Sequence, residues 1–357
     1  MATEMRYVLP VEQTGWATGG HVETVFRWDY DKGREQLLTL YDKGKKQQWD
    51  AAERIDWSLD LDPENPMLLP DQSIAIYGTP MWQKLNHKER ANLRRHAQSW
   101  QISQFLHGEQ GALVCTSKIV QEVPALDAKF YAATQVMDEA RHVEAYSRLL
   151  REKFELAFPI NPHLKTLLDQ ILRESRWDFT YLGMQVLVEG LALAAFQRIR
   201  DISQNPLAGA VNAYVMQDEA RHVAFGRIAL RDYYPELTQA ERNEREEFAV
   251  AACWLMRDRF LAEEVWEACG LPVEACVAHA RDAEPMQHFR GRLFSRIVPT
   301  LKDIGLWGPK IQECFTKMGV MDLANLDSDA MLAQDDKVAA DFDKRMAEIR
   351  KVAAAAD

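Results

Sequence analysis

Two segments of the chain carry the same five letters, Asp138-Glu139-Ala140-Arg141-His142 and Asp218-Glu219-Ala220-Arg221-His222. On a helix, residues three apart share a face, so each copy presents a Glu and a His together. A further carboxylate stands thirty residues upstream of each motif Glu: Glu109 in FLHGEQGALVC and Glu189 in MQVLVEGLALAAF. Each half of this region therefore offers a Glu on one helix and a Glu-x-x-His on the next. Four carboxylates and two imidazoles can bind two divalent metal ions with coordination positions to spare. Carboxylates bridge and neutralise such a pair, and the imidazoles suit iron better than magnesium or calcium.

The elements that must hold these groups are helices. A thirty-residue interval fits the second half of one helix, a turn and the first half of the next. Hydrophobic periodicity predicts helices at about 76–86, 87–121, 125–153, 163–201 (broken near 173–178), 207–233, 238–269, 271–303 (broken at Pro285) and 307–317. An earlier helix is expected in KGREQLLTLYDKGKKQQWD, and the tail DKVAADFDKRMAEIRKVAAAAD reads as a polar helix. One Glu-x-x-His is expected by chance about once in a chain of this composition. Two in phase, each with a matched upstream carboxylate, point to a metal site. Glu189 is the sharpest witness, because its neighbours are apolar and an unpaired buried carboxylate is expensive.

Four helices giving two Glu and two Glu-x-x-His motifs form the pattern of ferritin-like di-metal carboxylate proteins. Over residues 88–233 the chain resembles the oxygen-activating branch of the ferritin-like di-iron carboxylate superfamily. That branch includes multicomponent monooxygenase large subunits, acyl-carrier-protein desaturases, arylamine N-oxygenases and ribonucleotide reductase small subunits. The resemblance implies an all-α fold, a ferritin-like four-helix bundle with additional N- and C-terminal helices. It implies Glu109, Glu139, His142, Glu189, Glu219 and His222 as ligands of two Fe ions, with Mn possible in one position and O2 as co-substrate.

A metal-bound His usually donates its other N–H to a carboxylate. Asp138 and Asp218 are placed for that role, crosswise to His222 and His142, with Arg141 and Arg221 pairing those Asp groups as planar forks. Tyr146, four residues after His142, resembles in placement the radical tyrosine of ribonucleotide reductase small subunits; the plain alternative is a core tyrosine. Arylamine N-oxygenases carry an additional His four residues before the second-motif Glu. Val215 occupies that position here and argues against N-oxygenation.

Composition bounds the rest. The 357 residues read as one ferritin-like domain, with 88–233 as core bundle, 1–87 as N-terminal extension and 234–357 as added C-terminal helices. A net charge of -11 argues against nucleic acid as partner. Five cysteines without a Cys-x-x-Cys pair suggest reduced thiols and a cytoplasmic location. MATEMRYVLPVEQTG lacks signal-peptide character, and the absence of an unbroken apolar run of membrane-spanning length predicts no membrane partner. No flavin, NAD or iron–sulfur motif occurs, so a reductase or ferredoxin must bring electrons for oxidation of a small-molecule substrate. A homodimer is the expected assembly. The reading is a di-iron, O2-dependent, monooxygenase-like oxidoreductase. The alternatives are a radical-generating small subunit of ribonucleotide reductase type and a ferritin-like iron-binding protein.

Overall fold

A computed structural model describes residues 17–20, 22–24 and 33–354 of the chain. The stretch read for a signal peptide lies outside the described residues. Those described form helices and loops, with no β-strand among them. In chain order the helices are α1 (Glu35–Lys46), α2 (Ala51–Arg54), α3 (Pro80–Lys84), α4 (His87–Glu122), α5 (Leu126–Leu149), α6 (Pro162–Arg173) and α7 (Trp177–Ile202). They continue with α8 (Pro206–Tyr233), α9 (Gln239–Asp258), α10 (Glu263–Ala268), α11 (Val273–Asp282), α12 (Glu284–Leu293), α13 (Ile297–Asp303), α14 (Pro309–Met318) and α15 (Ser328–Ala354).

Local chemistry sets the ends of the four central helices. α4 starts at a capping box, in which the Asn86 side chain accepts from the Glu89 amide and the Glu89 carboxylate accepts from the Asn86 amide. α8 starts at Asn205, whose side chain accepts from the Ala208 amide, with Pro206 in the first turn. α7 includes a widened π segment, Tyr181–Val188, that ends directly before Glu189. Such segments cluster at functional sites because they re-aim the residues that follow.

α4 packs along α5, and α7 along α8. Gly226 of α8 permits a close approach to α7: a β-carbon there would stand 2.6 Å from that of Gln185. Trp177–Ile202 is long and apolar enough to cross a membrane, but 89% of its most apolar window is buried inside the protein. Its hydrophobicity is that of a core helix.

Several expected helices are shorter than their patterns. The expected 238–269 helix is interrupted at Ala262, which adopts a left-handed φ of 51°. The expected 271–303 helix is divided into three, with its first break at Ala283, ahead of Pro285.

The end of α4 holds a titratable pair. Lys118 and Glu122 are both buried, with their charged atoms 3.7 Å apart. Lys118 donates to the carbonyls of Ile171, Leu172 and Glu174, whereas neither Glu122 oxygen has a hydrogen-bond partner. Burial pushes the Glu122 carboxyl up to about 7. A folded-state value above the unfolded one means stability is complete below the unfolded pKa and lost as pH rises through 7. Glu122→Gln is therefore expected to match the parent near pH 4.5 and exceed it by about 2 kcal/mol at pH 8, as measured by urea unfolding.

Candidate metal centre

The structure brings Glu109 (α4), Glu139 and His142 (α5), Glu189 (α7), and Glu219 and His222 (α8) into one buried cluster. None is more than 4% exposed. Donor atoms of Glu109, Glu139, His142 and Glu219 lie within 4.8 Å of one another, as do those of Glu139, Glu189 and His222. His142 Nδ1 is 3.2 Å from Glu109 Oε2, 3.2 Å from Glu219 Oε1 and 3.5 Å from Glu139 Oε2. His222 Nδ1 is 3.1 Å from Glu139 Oε1 and 3.4 Å from Glu219 Oε1. Glu139 thus belongs to both groups, and Glu219 approaches both rings. Gln135 Nε2 donates to Glu139 Oε1 (3.0 Å) and Glu189 Oε1 (2.9 Å), tying the two halves together.

Behind the imidazoles lies a ring of charge. His142 Nε2 is 3.1 Å from Asp218 Oδ2, and His222 Nε2 is 3.3 Å from Asp138 Oδ2. With metal bound, an N–H donated to each Asp would leave Nδ1 as the lone pair that coordination requires. Arg141 bonds Asp138 and reaches Asp218 at 3.2 Å; Arg221 bonds Asp218 and reaches Asp138 at 3.5 Å. The chain just after α1 closes the ring. Trp49 Nε1 donates to Asp218 (2.8 Å) and Gln48 Nε2 to Asp138 (2.7 Å), while Gln48 and Gln47 accept from Arg141 and Arg221. The sequence reading missed Gln47, Gln48, Trp49 and Gln135. A polar QQW directly after a short helix was the available signal.

Charge and hydrogen bonding both test whether a metal fits. Four Glu and two Asp carboxylates face two guanidinium groups, which leaves four negative charges for two divalent ions to neutralise. Glu139 Oε2, Glu189 Oε2, both Glu219 oxygens and His222 Nδ1 are buried without a hydrogen-bond partner. Orphaned buried acceptors are costly, and they converge where ligand atoms would be needed. Without metal, burial, followed by the Glu219 charge, holds Glu109 and Glu189 well above the usual carboxylate range. Burial opposes charge on His142, but Asp218 and the surrounding Glu side chains hold it protonated well above the ordinary histidine value. Protons stand in for the metal charge. The donor set therefore fits a pair of divalent metal ions.

Tyr146 is fully buried, and its hydroxyl donates to Asn212 Oδ1 at 3.1 Å. Its ring lies 5.8 Å from Phe105 and 5.9 Å from Phe196. Val215 is fully buried in the hydrophobic core. Among the other histidines, His107 Nε2 lies 2.8 Å from the Phe158 carbonyl.

A search of curated proteins finds no match. Among solved structures, a protein from Synechococcus with aldehyde deformylating oxidase activity superposes with a TM-score of 0.49 at 15% identity, over 64% of this chain and 98% of that one. An R2-like ligand-binding oxidase variant with a Mn/Fe cofactor gives 0.46 at 18% identity, over 77% and 94%. The sequence model of the family described as P-aminobenzoate N-oxygenase AurF matches residues 31–305. That match corrects the weight placed on Val215: its side chain does not remove the chain from the N-oxygenase family. With the family match spanning most of the chain around a buried carboxylate–histidine cluster, this protein belongs to the AurF family of ferritin-like di-iron oxidoreductases.

Proposed function

We propose that this chain is an oxygenase that uses O2 and external electrons to oxygenate a small organic substrate. The carrying observation is the cluster of six buried ligand-type side chains with orphaned oxygens. In this reading Glu109, Glu139, His142 and Glu219 hold one iron, and Glu139, Glu189 and His222 the other, with Mn admissible in one position. The metal pair supplies O2 reduction and a strong oxidant.

The protein's own groups do the rest. Asp138 and Asp218 fix the histidine tautomers. Gln135 orients Glu139 and Glu189 through its two N–H bonds. The aromatic cluster of Phe105, Tyr146 and Phe196 excludes water. A reductase or ferredoxin delivers electrons, and the assembly is a homodimer.

Iron-loaded protein is expected to hold about two metal ions per chain by elemental analysis, and after reduction to consume O2. One ion or none would remove this reading. Tyr146 offers a second one, because it is a buried phenol near Glu109 whose charge raises its pKa after burial does. A tyrosyl signal in electron paramagnetic resonance after iron and O2 loading, absent in Tyr146→Phe, would move the assignment to a radical-generating protein.

A further inference from the structure

A cavity of about 90 Å³ lies between α4 and α7, roofed by the 69–75 loop, α10 and α12. Its walls include Trp100, Phe260, Trp266 and Phe289, with Asp71, Ser73, Gln98, Gln101 and Arg198 among the polar members. Arg94, also in the wall, is neutralised by a two-pronged bond to Asp71 at 2.6 and 2.8 Å. Arg198 is not. It donates to Ser73 Oγ at 3.3 Å and lies 4.7 Å over the Phe289 ring, with no carboxylate partner among the described residues. Burial and the neighbouring Arg292 both disfavour its charge. A half-buried guanidinium beside a second guanidinium, in an aromatic wall, lacks an anion.

The cavity is aligned with the metal cluster. Gln101, Phe105 and Glu109 follow one another at intervals of four along α4, on a single stripe. On α7, Arg198 and Phe196 lie beyond Glu189 in the same direction. Phe105 and Phe196 meet edge to face at 4.6 Å between the cavity and the ligands. Eight residues along α4 correspond to roughly 12 Å. The volume is below the roughly 150 Å³ that takes a benzene ring, so the cavity suits the head of a ligand, not the whole of one.

We propose that this cavity receives the anionic end of an extended organic acid, whose carboxylate pairs with Arg198 and whose apolar remainder parts the Phe105–Phe196 contact, closed in this structure, to reach the metal site. The assignment of that acid as substrate rests on the oxygenase reading; the binding site does not. A single para-substituted ring anchored on Arg198 is too short to reach the metal ligands, whereas a decanoate-length chain is not.

Calorimetric titration of the iron-loaded protein, kept free of O2, tests this with decanoate, decanamide and 4-aminobenzoate. Decanoate is expected to bind. Replacing it by the neutral amide, or Arg198 by Gln, should each weaken binding by about 10- to 100-fold, the loss of a charge-assisted pair. Arg198→Lys should recover part of the affinity, and circular dichroism checks that each variant is folded. Equal binding of acid and amide, an unchanged affinity in folded Arg198→Gln, or tighter binding of 4-aminobenzoate than of decanoate would overturn the proposal. Arg198-dependent binding in a protein that, loaded with iron, consumes no O2 would leave the cavity standing and remove the oxygenase reading. Two bound iron ions with no acid binding would do the reverse.

Discussion

Glu139→Ala is expected to lose both metal positions, not one. Glu139 is fully buried and is the residue common to the two donor groups. Its oxygens face His222 Nδ1 at 3.1 Å and His142 Nδ1 at 3.5 Å. Although burial opposes ionisation, the two histidines hold its carboxyl far below the usual glutamate range, so it is an anion in the folded protein. Alanine removes the charge that screens two cations from each other and leaves each with three or fewer protein donors. Loss of a hydrogen-bonding group one layer out costs about 10- to 100-fold in metal affinity; removal of a shared ligand should exceed that range. Elemental analysis should fall from about two metals per chain to below one. The rise in melting temperature on adding Fe(II), which reflects preferential binding to the folded state, should vanish. Glu109→Ala should leave the second position measurable, because Glu109 belongs to one group alone. Retention of two metals by Glu139→Ala would place the ions elsewhere.

The sequence set Glu109 apart as an upstream carboxylate and Glu139 as a motif member, but it did not show which of them serves both donor groups. The chain made the helical phase legible, because Glu-x-x-His imposes one face and the thirty-residue interval imposes a helical hairpin. Asp138 and Asp218 were legible through the habits of metal-bound histidine. The third layer was not. Trp49 reaches Asp218 across 169 positions and Gln48 reaches Asp138 across 90; no local periodicity links residues that far apart. The π segment of α7 was equally hidden, since YLGMQVLV is apolar apart from Gln185 and reads the same in either winding. The break between α6 and α7 at 174–176 carried polar letters, ESR, and showed. The break at Ala262 carried none: a left-handed alanine has no sequence signature, and it stands here between the buried Phe260, Leu261 and Val265.

That third layer has a measurable consequence at Asp218. Four donors converge on this carboxylate: Trp49 Nε1 at 2.8 Å, His142 Nε2 at 3.1 Å, Arg141 at 3.2 Å, and Arg221. It is 1% exposed, and no acceptor-to-acceptor conflict arises because it offers oxygens alone. Asp218→Ala strips one of two carboxylate partners from each of two buried guanidinium groups, which keep Asp138, so the cost should lie at the low end of the about 3–5 kcal/mol for breaking a buried pair. Asp218→Asn is expected to be nearly as harmful, because its amide nitrogen would face N–H donors on one side. The His142 ring then loses the acceptor that keeps the proton on Nε2. A proton moving to Nδ1 occupies the metal-facing lone pair, so affinity at that position should fall by about 10- to 100-fold. The pH dependence separates this from a mere packing loss. Burial opposes ionisation of Asp218, but Arg221, His142 and Arg141 hold its pKa well below the usual range. Its stabilisation is therefore present above the unfolded value near 3.9 and lost as pH falls below it. The deficit of Asp218→Ala in chemical unfolding should be constant between about pH 5 and 6, where histidine is protonated in the folded and unfolded chain alike, and shrink below about pH 4. A deficit indifferent to acid would mean that the carboxylate fills space and that the two arginines are held by Gln47, Gln48 and Asp138 alone.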